Sequence, residues 1–259
     1  MTALIVALFL VGPVVAIPLL LRRIPQLGAP RAARVVGVAR RMALPAGLLL
    51  AVSFVVAPGP VAGAFALPFL GVGGLTATAA LADALPAIRT GRTLQPGVHR
   101  ATWAALVFLP VSAGNALADR LGIQPFGFDP TIVLLTAVHF TFAGFVLLSV
   151  GSMAYHRRPR RWLEVASDSV VVGIPITAIG FFGVPLAAWV GAMLVAAGGL
   201  AVGIACAAVA GTSPSRPARG LLRIAGLTLL VSMPLAAIYA TGVWLGTTWL
   251  TISAMAATH

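Results

Sequence analysis

The stretch "ALIVALFLVGPVVAIPLLLRR", Ala3 to Arg23, sets nineteen uncharged residues in front of two adjacent arginines. Nineteen residues rise far enough as α-helix to cross most of the roughly 30 Å of hydrocarbon in a bilayer. No basic residue precedes the run, which is the reverse of a cleavable export signal, so it is expected to stay in the protein as a membrane helix.

The rest of the 259-residue chain repeats that pattern. Sixty per cent of its residues are hydrophobic and only 8% are charged, against about a quarter charged in ordinary soluble domains, and the mean hydropathy is +1.05. The apolar runs lack the short alternation of outer-membrane strands, and a lipid-exposed backbone must satisfy its own hydrogen bonds, so helices are expected to do the spanning. The predicted fold is an all-α polytopic bundle, a single transmembrane domain over residues 1–259. Eight spans are placed at 3–21, 42–57, 62–88, 101–118, 131–155, 162–182, 185–210 and 221–250, the last with an interfacial end.

Arginine placement orients this bundle. Of seventeen basic residues, all Arg, six fall in 22–41, three in 89–100, four in 157–161 and three in 216–223, leaving Arg120 on the other side. Basic loops stay cytoplasmic, so both termini are expected outside, with the chain in the plasma membrane of a bacterium. Exclusive use of arginine reads as the codon bias of a GC-rich genome. The net charge of +12 is scattered between apolar runs rather than gathered on one soluble face, which argues against nucleic-acid binding. The segment "GAPRAARVVGVARR" (28–41) reads either as a basic helix lying on the cytoplasmic surface beside anionic lipids or as a solvated loop.

Cys206 lies alone in an apolar run, which rules out an intramolecular disulfide and a cysteine metal site. The histidines form no ligand cluster, and neither metal nor cofactor is expected. Glycine and proline interrupt several spans, as at Gly12-Pro13, Pro68, Gly173 and Pro175. Such residues serve close helix packing or, alternatively, bend the walls of a cavity.

Four of the five acids lie in spans or at their ends. Charge in hydrocarbon costs at least about 2.5 kcal/mol, so these side chains should face the bundle interior or a wet cavity. Glu164 and Asp168 are one turn apart; their repulsion would favour keeping a proton on one of them, or both simply suit a helix start beside the arginines of "HRRPRR". Asp83 has Thr76, Ala79 and Ala80 on its face, leaving room beside it, unless it pairs with Arg89 or Arg92. Ser112, Asn115 and Asp119 align on the fourth span. His139 sits mid-span in "LTAVHFTFAGFVL" (135–147), either as a proton-handling group beside Phe140, Phe142 and Phe145 or as a packed ring bonded to a carbonyl.

The stretch "GFDPTIVLLTAVHFTFAGFVL", Gly127 to Leu147, resembles a segment of the YndJ-like family of bacterial multi-spanning proteins, and "GIPITAIG", Gly173 to Gly180, is similar to that family's glycine-proline span. The resemblance implies a helical membrane fold. In size, span number and embedded carboxylates the chain also looks like bacterial integral-membrane terpene cyclases of meroterpenoid pathways.

Together these readings lead to a membrane-embedded terpene cyclase, an isomerase- or lyase-type enzyme that protonates a lipophilic prenylated substrate arriving from the membrane lipids. Asp83, Glu164 and Asp168 are the candidate acids, His139 the proton acceptor or orienting group, and Asn115, Asp119, Phe140, Phe142 and Phe145 the substrate contacts. No aspartate-rich magnesium diphosphate motif is present. The alternatives are a small proton-coupled permease using the same acids, and a structural or regulatory membrane subunit in which they are only anchors.

Overall fold

The computed structural model of the chain describes residues 2–24, 27–89, 98–212, 215–247 and 249. Among them it is all-helical, with eight helices long and apolar enough to cross a membrane: α1 (Ala3–Leu21), α2 (Pro30–Ser53), α3 (Pro60–Arg89), α4 (Val98–Leu121), α5 (Pro130–Arg157), α6 (Arg161–Gly180), α7 (Pro185–Ala210) and α8 (Arg216–Trp244). The protein is a multi-pass membrane protein of the expected class. Proline opens α2, α3, α5 and α7, where its missing N–H costs nothing because a first-turn donor has no intrahelical partner.

Span positions agree with the expected ones to within a few residues except for the second. It starts at Pro30 and ends at Ser53, whereas 42–57 was expected. The basic segment is therefore neither a separate surface helix nor a loop; it forms the first half of α2. Arginine and alanine are good helix formers, and an arginine can keep its stem on apolar surface while its head reaches water. The expected last residues, 54–57, instead make the turn into α3.

The helices group into two compact units. The first comprises residues 1–95 and 102–149, the second 96–101 and 150–259. In the first unit α1 shows two faces: Ile5, Phe9, Ile17 and Leu21 are buried, whereas Leu4, Leu8, Val11, Val15 and Leu19 are 42–55% exposed. That three- and four-residue spacing is a helical stripe, and in a membrane lipid covers its exposed side. Two spans contain wide π-helical turns, at Gly12–Ala16 in α1 and Phe140–Leu147 in α5. They pack on each other, and a side chain at Gly12 would collide with Thr141.

In the second unit α7 packs against both α6 and α8. The crossings use glycine. A Cβ on Gly173 would lie 2.9 Å from the Gly191 carbonyl oxygen, and one on Gly226 would lie 2.9 Å from that of Gly203. Small residues let membrane helices approach closely where no hydrophobic force drives them together. At the far ends of α7 and α8, Trp189 and Trp244 stack at 5.1 Å, and the Trp189 indole donates to Thr241 Oγ1 at 3.1 Å.

Candidate functional site

Unit two holds the densest charge cluster. Arg100, in the first turn of α4, forks onto Asp168: Nε donates to Oδ1 at 3.0 Å and Nη2 to Oδ2 at 2.7 Å. Nη2 also donates to Glu164 Oε1 at 3.1 Å. One turn of α6 brings the two carboxylates to one face, and the guanidinium between them offsets their repulsion. Glu164 is the more buried acid, at 16% exposure, while Asp168 and Arg100 are each 36% exposed. The helix-start reading expected a partner from the "HRRPRR" loop; the partner is Arg100. Its position just before an apolar run, on the same side as an acid pair, was the available signal.

Asp83 belongs to unit one. Its Oδ1 accepts from the backbone N–H of Ala29 at 2.7 Å and its Oδ2 from the indole N–H of Trp103 at 2.8 Å. Ala29 is the residue before α2, so Asp83 fastens the start of that helix to α3. Arg89 makes no ion pair with it, and Arg92 lies outside the described residues. The small strip beside Asp83 is not open space: Thr76, Ala79 and Ala80 are all buried.

On α4, Ser112 donates to the Ala137 carbonyl at 2.8 Å and lies 2.6 Å from Thr141 Oγ1, a buried polar tie between α4 and α5. Asn115 turns back on its own helix, donating to the Val111 carbonyl at 2.9 Å. Asp119 accepts from Arg120 Nε at 2.9 Å. Arg120, the one arginine expected on the other side, is only 8% exposed. It donates to the carbonyls of Ser53 at 3.1 Å and Val56 at 3.4 Å, and stacks over Phe54 at 4.3 Å. Its isolation on the arginine-poor side was the sequence signal.

His139 is exposed on α5, with Nδ1 2.9 Å from the Leu135 carbonyl oxygen of its own helix. The three phenylalanines after it diverge. Phe145 is fully buried, Phe140 meets Phe108 edge-on at 5.5 Å, and Phe142 is half-buried. The π turn that begins at Phe140 changes the residue-to-face relation within the run, which no count at 3.6 residues per turn anticipates. Within unit one, His139 and the three phenylalanines after it do not turn to one common face. Asp83, Asn115, Asp119 and His139 lie in unit one, Glu164 and Asp168 in unit two.

Unit one carries two open grooves. One, of about 370 Å³, has Phe54, Asp119 and Arg120 in its wall. The other, of about 760 Å³, lies between the start of α2 and the end of α3. Among the described residues no three His, Cys, Asp or Glu side chains gather as metal ligands would.

The family model described as YndJ-like protein covers residues 7–259. No curated protein and no solved structure matches the chain.

Proposed function

The chain belongs to the YndJ-like family, and from the way its acids are held we propose that it is a structural or regulatory subunit of a bacterial plasma membrane rather than a catalyst. The supporting observation is that all five carboxylates are taken up in fastening helices. Glu164 and Asp168 clamp α6 to the start of α4 through Arg100. Asp83 ties α2 and α4 to α3, and Asp119 holds the buried Arg120. Asp129 caps α5 by accepting from Thr131 N–H at 2.8 Å.

Acid-initiated cyclisation of a prenylated substrate needs a carboxyl group turned toward a substrate-sized hollow, and neither unit-one groove has Asp83 or His139 in its wall. The proton-coupled permease keeps one feature in its favour: the Arg100 cluster holds two carboxylates against one guanidinium, an excess negative charge that a proton or cationic solute could match.

Purified protein in lipid nanodiscs and proteoliposomes separates these readings. Asp83→Asn is expected to cost about 2 kcal/mol, because it disturbs two hydrogen bonds to a carboxylate. Asp168→Asn should cost about 1 kcal/mol or less, since the ion pair is over a third exposed. Neither the wild type nor the variants should convert a prenylated phenol or carry a pH-driven flux. Flux that Asp168→Asn abolishes without changing stability would establish the permease instead, and conversion abolished in the same way by Asp83→Asn would establish the cyclase.

A further inference from the structure

The 760 Å³ groove has a composition that the fastening role of the acids leaves unexplained. It is lined by Arg31 and Arg34 from the first turns of α2 and Arg89 from the last turn of α3, together with Pro30, Leu85 and Pro86. All three arginines are exposed, and among the described residues none of them has an ion-pair partner. The nearest acid in sequence and fold, Asp83, is already committed to Ala29 and Trp103. That commitment is also what holds the α2 start beside α3, so the three cations share one rim by construction.

Position points to the occupant. Pro30 opens α2 and Arg89 lies in the last turn of α3, so the groove lies at the basic ends of two helices whose remaining turns are long and apolar enough to cross a membrane. Beside it on α3, Leu81, Leu85 and Ile88 are 55%, 43% and 60% exposed, and their spacing of four and three puts them on one face. A ligand suited to this place carries negative charge at one end and hydrocarbon at the other. The start of α2 adds the positive end of its helix dipole.

We propose that this groove binds the phosphate headgroup of an anionic phospholipid through Arg31, Arg34 and Arg89, with an acyl chain along the Leu81–Leu85–Ile88 face. Guanidinium groups suit the task because their paired donors match phosphate oxygens. The inference rests on Asp83 holding the start of α2 beside α3, and its outcome does not depend on whether the protein is a catalyst.

The test titrates the full chain in neutral detergent with phosphatidylglycerol, phosphatidylcholine and inorganic phosphate, following affinity and the thermal midpoint. Phosphatidylglycerol is expected to bind and raise the midpoint, with phosphatidylcholine and inorganic phosphate doing neither at the same concentration. Each arginine replaced by glutamine should weaken phosphatidylglycerol roughly fivefold, so Arg31→Gln with Arg34→Gln and Arg89→Gln should weaken it roughly a hundredfold. The three corresponding Arg→Lys changes should keep only part of the binding, more than the Arg→Gln changes do, because an ammonium keeps the charge and loses the paired donors. Arg22→Gln with Arg23→Gln, exposed arginines outside the groove, should change it little. Equal loss per residue in that control pair would mean diffuse surface charge and overturn the site. Equal competition by inorganic phosphate, or no binding of phosphatidylglycerol, would overturn the lipid assignment.

Discussion

Arg120 shows what one side chain can hold in this protein. It joins Asp119, the carbonyls of Ser53 at the end of α2 and Val56 in the turn after it, and the ring of Phe54, while its own carbonyl accepts from Gly59 N–H at 2.8 Å in the turn before α3. Both members of the ion pair are nearly enclosed, at 9% and 12% side-chain exposure. Removing one partner of such a pair leaves the other charge buried and alone, so Arg120→Met is expected to cost about 3–5 kcal/mol. Arg120→Met with Asp119→Asn should recover part of that loss, which a double-mutant unfolding series in detergent would measure; a single variant as stable as wild type would show that the contacts carry no weight. The sequence made the rare acids legible as the places where polar contacts gather, because charge in an apolar chain needs a reason. Their partners were not legible. Spacing along one helix shows that Glu164 and Asp168 share a face, but which neighbour confronts that face depends on helix rotation. Arg100 becomes the partner because α4 already begins at Val98, which turns an apparent loop arginine into a first-turn one. His139 and Asn115 illustrate the converse: where every side of a helix is apolar, a polar residue marks neither the inner nor the outer face.

At the scale of the helix, span existence was readable and span interior was not. Apolar runs close to the length of a membrane crossing have one physical solution in lipid, so the eight helices follow from composition and the bilayer thickness. The rotation of each helix follows instead from where small residues permit approach. The crossing of α6 and α7 is the clearest instance: a Cβ on Gly191 would strike the backbone and hydroxyl of Thr177 as well as the Gly173 carbonyl. Gly191→Val is therefore expected to destabilise the protein by about 1–3 kcal/mol through overpacking. Gly71, by contrast, has open space where its Cβ would be and faces outward, so Gly71→Ala should be neutral or slightly stabilising. Thermal unfolding of the two variants in the same detergent compares them directly, and equal midpoints would mean that the helices separate to admit the larger side chain at no cost. The two π turns lay beyond sequence reading altogether, since an extra residue in a turn leaves the hydropathy of a uniformly apolar helix unchanged. Their mutual packing at Gly12 and Thr141 suggests why they persist: each wide turn fits against the other.

For the molecule as a whole, the question is which way the eight helices cross. With every one of the eight helices crossing, the turns alternate between two sides, and the arginine-rich segments at 22–41, 89–100, 157–161 and 216–223 are all expected on one of them. A guanidinium resists translocation, so that side is expected to be cytoplasmic. The protein suits a direct measurement because its single cysteine, Cys206, is buried and should give little background with a membrane-impermeant maleimide. Single cysteines placed at Ala57 and Gln124, in exposed turns opposite the arginine-rich side, are expected to react in intact cells. Cysteines at Pro159 and Gly211, exposed in turns on the arginine-rich side, should react only after the membrane is opened. The reverse pattern would place the Arg31, Arg34 and Arg89 groove toward the outer leaflet. A mixed pattern, with one pair split between the two conditions, would mean that fewer than eight of these helices span, and that apolar length alone overstates the crossings.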